Sequence, residues 1–445
     1  MEDVIIVGGG IIGCLVAYYC SRYQCNVLVL EKENDVANEQ TLRNCSVLHL
    51  EENRSQGTYL SAKGLRMAEQ LCRDLKVDYQ KIDSLLVACS DEEVRALKEL
   101  FQQHQDQFQW LDKAACLARN PHFSEQVQAA LLSEGRAIIE PWKVAIAAME
   151  EAMGNGIKLA CNQEVVDIEK RDGFFYVRTK DHEYRSRMVI NCAGNQAYEI
   201  SKMVIGEPDF SFELVQEKYA YLLPYFDVGR LDMIQRVNHR LQVVPTIRGG
   251  LMIGPLDQDS KQELLLLLKR WDWAELHFCF TARQARSTRP YILEQSVVED
   301  FIQVAGFYKS GITCACAIAS ELVEELIQER FHFMKQNVMC HRQKNVVLSR
   351  CDVEQRQRYV VNNPRYGNIV CECGMVSEQE IIDCIKRKCG ARSIMGVMKR
   401  VNAGCGLCRG ADCHVKLIQI LSEVLQLDFD EVAFDQEKGA IHERG

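Results

Sequence analysis

Apolar positions along this chain change period in a way that marks out its elements. Val4-Ile-Ile-Val7 and Val27-Leu-Val-Leu30 are short uninterrupted runs, the pattern of strands buried on both faces of a parallel sheet. Between them a helical spacing runs through Ala17 to Tyr23, so a strand–helix–strand crossover is expected. Ser61 to Leu75 places Leu65, Ala68, Leu71 and Leu75 on one helical face and predicts a core helix. Leu85–Ala88 predicts a short strand. Ser90-Asp-Glu-Glu93 is a capping box for a helix carrying Val94, Leu97 and Phe101. Ile138 to Lys143 leads into another helix with Pro141 in its first turn.

Glu164–Ile168, Phe174–Val177 and Met188–Ile190 read as strands and end at the turn Asn191-Cys-Ala-Gly194. From Phe210 to about Ser296, strands at Tyr219–Leu223, Leu241–Val244 and Leu251–Ile253 alternate with turns at Arg248-Gly-Gly250 and Gly254-Pro255, as in an antiparallel sheet. Phe301–Gly306 is a further strand, and Ser310 to Ala319 opens a long helix. After Leu326 the pattern turns polar, and Gln343 to Arg365 reads as a connector. A second capping box, Ser377 with Glu380, then starts a helix with Ile381, Ile382 and Ile385 on one face; Gly390–Arg400 and Val415–Leu425 predict two more. The fold class is therefore α/β: a parallel-sheet domain, an antiparallel sheet and a small, mainly helical C-terminal module.

The first crossover contains Gly8-Gly-Gly10-Ile-Ile-Gly13 and ends its second strand at Glu31, a dinucleotide fingerprint in its full context. Gly8 permits the tight turn, Gly10 lets the backbone approach a pyrophosphate, and Gly13 lets helix and strand pack closely. The diphosphate would sit on the helix N-terminus, where unpaired N–H groups and the dipole favour negative charge. Glu31 would accept hydrogen bonds from a ribose.

Composition and charge add three constraints. The net charge of −9 and the lack of a long basic block exclude a nucleic-acid binder. The charge-free run Val4 to Cys20 is short, glycine-rich and without a basic leader, which disfavours both membrane span and signal peptide. Cysteine is abundant, with 21 residues scattered through apolar segments, so a reducing cytoplasm poor in oxygen is expected rather than a disulfide framework. Cys14, Cys20, Cys72, Cys89 and Cys161 read as small core hydrophobes. Cys371, Cys373, Cys405, Cys408 and Cys413 are different: five thiols in a module too small for a large core imply a bound metal centre. The short C-x-C entry favours an iron–sulfur cluster, with tetrahedral zinc as the rival.

Thr41 to His49 and Gly57 to Gly64, behind the fingerprint, resemble the D-amino-acid-oxidase superfamily. The closer likeness is to the branch holding anaerobic glycerol-3-phosphate dehydrogenase large subunits and L-2-hydroxyglutarate dehydrogenases. The resemblance implies FAD rather than NAD, bound by a Rossmann-like domain assembled from about 1–60, 138–200 and 300–328, with substrate-binding parts at about 61–137 and 201–299. It implies cofactor contacts at Val165, on the strand against the adenine, at Gly194, and at Gly311 and Thr313, where a helix N-terminus faces the flavin. His49 lies where the chain passes the flavin ring; an active-site role and a structural one both remain open. Arg248 stands where the family carries a histidine. Arg283, Arg286 and Arg289 lie in a segment that carries a flavin-proximal arginine, and Arg283 is the nominal choice for pairing with a substrate anion. Cys314 and Cys316 replace the usual serine and proline and read as packing residues.

The C-terminal stretch, residues 366–430, resembles the bacterioferritin-associated-ferredoxin type of [2Fe-2S] domain, with 329–365 as connector and 431–445 as tail. That family closes its ligand set with C-x2-C or, when fused to dehydrogenases of this branch, with C-x4-C. The expected ligands are therefore Cys371, Cys373, Cys408 and Cys413, with Cys405 spare. Lys399, Arg400 and Arg409 would offset the cluster's charge or form a solvated basic face. Together these readings imply an FAD-dependent dehydrogenase for a small anionic substrate, glycerol-3-phosphate or a 2-hydroxy acid, with electrons leaving through the cluster. The expected partner is a second flavoprotein or electron-carrier subunit, the only expected route to a membrane surface. An amino- or imino-acid substrate such as proline, or an electron-transfer subunit with a degenerate substrate site, are the alternatives.

Overall fold

The computed structural model describes residues 1–50, 55–222, 232–269 and 278–435. Two sheets make the large body. The first runs in the order Ile292–Gln295, Phe301–Ala305, Glu183–Asn191, Glu2–Val7, Val27–Leu30, Lys158–Ala160, with every pair along this path but the first parallel; the antiparallel strands Phe174–Thr179 and Val165–Arg171 branch from Glu183–Asn191. The crossover helix Ile11–Cys20 is buried on nearly every side, at Cys14, Leu15, Val16 and Ala17 among others. Its charge-free sequence thus reflects an interior position. Helices Pro141–Gly154 and Gly311–Glu321 pack against it, and Ser55–Asp74 packs against Gly311–Glu321, in one core that also takes in Cys14, Cys20, Cys72, Cys314 and Cys316. Among the described residues no helix is long and apolar enough to cross a membrane.

The second sheet has nine strands, in the order Phe278–Ser287, Phe212–Leu222, Leu251–Leu256, Gln242–Pro245, Met233–Arg236, Tyr79–Ala88, Ala129–Ile139, Val47–Leu48, with Gln109–Asp112 paired to Ala129–Ile139. It is antiparallel except where Met233–Arg236 meets Tyr79–Ala88. That one parallel pair joins the strands of residues 79–139 to those of residues 212–287. Of the expected strand Tyr219–Leu223, Leu223 lies outside the described residues. The arginine-bearing stretch Phe280–Pro290 is mostly strand, within Phe278–Ser287 and paired along Phe212–Tyr221.

The C-terminal module folds around Ile381, Ile385, Val397, Leu417 and Leu421, brought together by helices Glu378–Lys386, Ile394–Val401 and His414–Leu425. Ser377 and Glu380 form the reciprocal cap read from the sequence. Val432 joins this core, and the carbonyls of Ala433 and Phe434 accept from the N–H groups of Ile394 and Met395. The described part of the expected tail thus belongs to the module. The connector carries its own helix, Val353–Asn362, with no buried residue. Just before the connector, Arg342 is strapped to Glu150, which also binds Arg387 of the module at 2.7 Å.

Candidate functional site

The first strand delivers its glycines as their geometry demands. Gly8 has φ +108°, and a Cβ there would stand 2.5 Å from the Cys192 carbonyl oxygen. A Cβ on Gly13 would collide with the Gly8 carbonyl oxygen, so helix and strand touch through bare backbone. Gly10 faces open space apart from Thr41, whose hydroxyl accepts from Ile11 N–H at 3.0 Å. Glu31 is buried, and its carboxylate accepts from Gly9 N–H at 2.6 Å and Glu33 N–H at 2.9 Å. Burial pushes its pKa up against those two donors. In this structure Glu31 shapes the phosphate loop, whatever it offers a ribose. Val165 is buried beside it: Gln163 N–H, at the start of that hairpin, donates to the Glu31 carbonyl at 2.9 Å.

A cleft of ≈ 240 Å³ continues from this loop into the second sheet. Gly10, Gly194 and Gly311 border it on the nucleotide side; His49, Tyr219 and Gln284 border it on the sheet side. Thr313 is buried at the helix start, and its hydroxyl accepts from His49 N–H at 3.2 Å. Burial first, then the nearby Arg136 and Lys309 charges, hold the His49 imidazole down to about 4. It is therefore a neutral base at physiological pH. Arg136 and Lys309 both line the cleft; Lys309 pairs with Glu217 at 3.0 Å, and Glu217 accepts from Tyr219 Oη at 2.8 Å. Gln284 Oε1 is buried with no hydrogen-bond partner among the described residues, a polar atom that a bound ligand could satisfy.

Two expected residues lie elsewhere. Arg283 is exposed and does not border the cleft, because strand alternation turns its neighbour Gln284 inward. Arg286 is likewise exposed, near Glu213 and Tyr308, and Arg289 pairs with Asp209 and Glu294. Arg248 sits at the tip of a hairpin, bound to Glu140 at 2.7 Å and facing the Cys405 thiol of the C-terminal module rather than His49. Sequence reasoning missed Arg136, Lys309 and Gln284. Of these, only Lys309 had a signal, as the cation immediately before Ser310-Gly311.

In the module, the thiols of Cys371 and Cys413 are hydrogen-bonded. That bond, against burial and with the N–H groups of Gly404 and Gly374 in support, lowers Cys371 to about 6 and raises Cys413. Cys413 also senses Cys408 and Cys373. Gly406 lies so close to Cys373 that any side chain would overlap it. Cys405 is raised by burial and turned to Arg248 and Lys143. Among the described residues no trio of Cys, His, Asp or Glu is already drawn in as a single ion would require. Cys371, Cys373 and Cys408 all lie near enough to act on the charge of Cys413, Cys405 is also within reach of Cys371, and the N–H groups of Gly404 and Gly374 face Cys371 Sγ; thiolates with such backbone donors are the chemistry an iron–sulfur cluster uses. Lys399 and Arg400, expected near a cluster or in solvent, are buried against Asp35 at 3.0 and 2.6 Å; Arg409 is exposed.

Residues 3–325 match the family model "FAD dependent oxidoreductase", and residues 369–423 match "BFD-like [2Fe-2S] binding domain". A glycerol 3-phosphate dehydrogenase of Caloramator mitchellensis is 32% identical, covering 98% of this chain and 97% of its own. A glycerol 3-phosphate oxidase of Mycoplasma pneumoniae is 28% identical over 73% of this chain and 94% of its own. An L-2-hydroxyglutarate dehydrogenase of Escherichia coli is 26% identical over 63% of this chain and 68% of its own. The solved structure of FAD-bound, dithionite-reduced L-alpha-glycerophosphate oxidase from Mycoplasma pneumoniae superposes with TM-score 0.67 at 22% identity, over 76% of this chain and 97% of that one.

Proposed function

The chain belongs to the FAD dependent oxidoreductase family, with FAD as cofactor and a C-terminal [2Fe-2S] domain, and we propose that it is a glycerol-3-phosphate dehydrogenase. The observation that supports this best is the likeness to the Caloramator mitchellensis protein, which extends through both domains. The cleft is consistent with it. Lys309 and Arg136 would hold the phosphate as a paired cationic clamp. Neutral His49 would take the proton of the C2 hydroxyl as the C2 hydride leaves. Bound FAD supplies the hydride acceptor. C2 would thereby lose one hydride and its hydroxyl oxygen one proton, turning the secondary alcohol into a ketone.

The phosphate loop Gly8–Gly13, with Val165, Gly194, Gly311 and Thr313, would hold the flavin nucleotide. Cys371, Cys373, Cys408 and Cys413 would hold the cluster, with Cys405 left to Arg248. The two electrons would then leave singly through the cluster to a separate carrier protein. The decisive measurement is the visible spectrum of anaerobically purified protein before and after glycerol-3-phosphate is added. Bleaching of the flavin bands is expected. Bleaching by an L-2-hydroxy acid or by proline alone would reassign the substrate, and reduction only by a partner protein would make this an electron-transfer subunit.

A further inference from the structure

The segment after the second strand, residues 33–41, is occupied on two sides. Toward the phosphate loop, Ala37 N–H donates to the Gly9 carbonyl at 3.0 Å and Val36 packs where a Gly9 side chain would stand. Thr41 meanwhile holds Ile11 N–H at the helix N-terminus. Toward the C-terminal module, Lys399 Nζ donates to the Val36 carbonyl at 2.8 Å and to Asn38 Oδ1. Arg400 binds the Asp35 carboxylate through two nitrogens, at 2.6 and 2.9 Å. The side chains of Asp35, Lys399 and Arg400 are only 5%, 1% and 4% exposed.

Charges buried so completely are tolerated only when their partners are all in place, so this contact is made whole or not at all. The helix that carries Lys399 and Arg400 is Ile394–Val401. It ends at Asn402 in a left-handed turn, and Gly404 N–H, just beyond, donates to Cys371 Sγ at 3.5 Å. On its other side, Trp142 Nε1 donates to the Lys399 carbonyl at 3.1 Å. A continuous run of hydrogen bonds and packed atoms therefore connects the backbone that receives the FAD pyrophosphate with the backbone that surrounds the cluster thiols.

We propose that the two cofactor sites are coupled through this run: loading the cluster strengthens FAD binding, and FAD strengthens cluster binding by the same factor, with Lys399 as the positioning residue. Each cofactor orders one end of an element the other also needs, and such coupling is reciprocal by linkage. The inference rests on the cluster placement argued above. A full-length chain that takes up no iron and sulfide refutes that placement, whereas an iron-loaded chain with unchanged FAD affinity refutes the coupling.

The test strips FAD from the full-length protein and measures its rebinding by flavin fluorescence, in iron-depleted and in cluster-reconstituted protein. FAD is expected to bind about 5- to 150-fold more tightly to the reconstituted form. In Lys399→Met, which keeps the Asp35–Arg400 pair, that ratio is expected to fall toward one. Asn38→Ala, which removes one acceptor and no charge, should lower it less and serves where Lys399→Met does not fold. A ratio of one in the unaltered protein, or an undiminished ratio in a folded variant, overturns the coupling.

Discussion

The phosphate loop and the cleft beside it adjoin each other, yet they are made of different material. Gly8, Gly10 and Gly13 act through what they lack, and the groups they expose are backbone N–H and C=O within one short stretch. The cleft depends on side chains from distant segments: Arg136, Tyr219 and Gln284 come from three separate strands, His49 from just beyond Val47–Leu48 and Lys309 from the turn Tyr308–Ser310. A backbone-built site is specified by local steric rules. A side-chain-built site exists only once the sheets are paired in register.

The contrast can be broken most sharply at His49. His49→Gln keeps hydrogen bonding but removes the base, and kcat/KM for glycerol-3-phosphate should fall ~10²- to 10⁴-fold with FAD content unchanged. Because His49 is held down to about 4, the acid limb of kcat/KM in the unaltered enzyme should lie near that pH rather than near the usual histidine range. Arg136→Met, which removes a lowering charge, should move the limb upward; a stationary limb would separate the titration from Arg136. A next-largest effect is expected at the rim. Lys309→Met removes a charge-assisted contact worth ~1.5–3 kcal/mol, read as a KM increase of about 10- to 100-fold with little loss of kcat.

On the backbone side, Gly13→Ala forces an atom onto the Gly8 carbonyl, and overpacking of this kind costs ~1–3 kcal/mol. It should appear as weaker FAD retention on gel filtration while the substrate specificity of the retained fraction is unaltered. The smallest effect is expected at Cys405. Cys405→Ser should keep its iron and Cys413→Ser should lose it; the reverse result would show that the returning cysteines were assigned wrongly.

Much of this was legible before any fold was known, for reasons the particular residues make plain. Apolar runs of period one and four marked the buried strands and the crossover helix because burial on both faces leaves no polar positions to interrupt them. The capping pair Ser377 and Glu380 was readable because its partners lie within one helical turn. The arginines were not. Arg248, Arg283 and Lys309 all carry a positive charge in suggestive places, and only pairing decides their fates. Alternation along Phe278–Ser287 sends Gln284 into the cleft and leaves Arg283 outside. The hairpin tip carries Arg248 to Glu140 and the cysteine module. Lys399 and Arg400 could not be distinguished from surface charge, since their partner Asp35 lies at the far end of the chain. Sequence by itself determined the elements, the phosphate loop and the thiol-rich module, all set by interactions between near neighbours. Tertiary structure alone decided which charges line the cleft and which join the C-terminal module to the rest, because those contacts depend on register and docking between segments far apart along the chain.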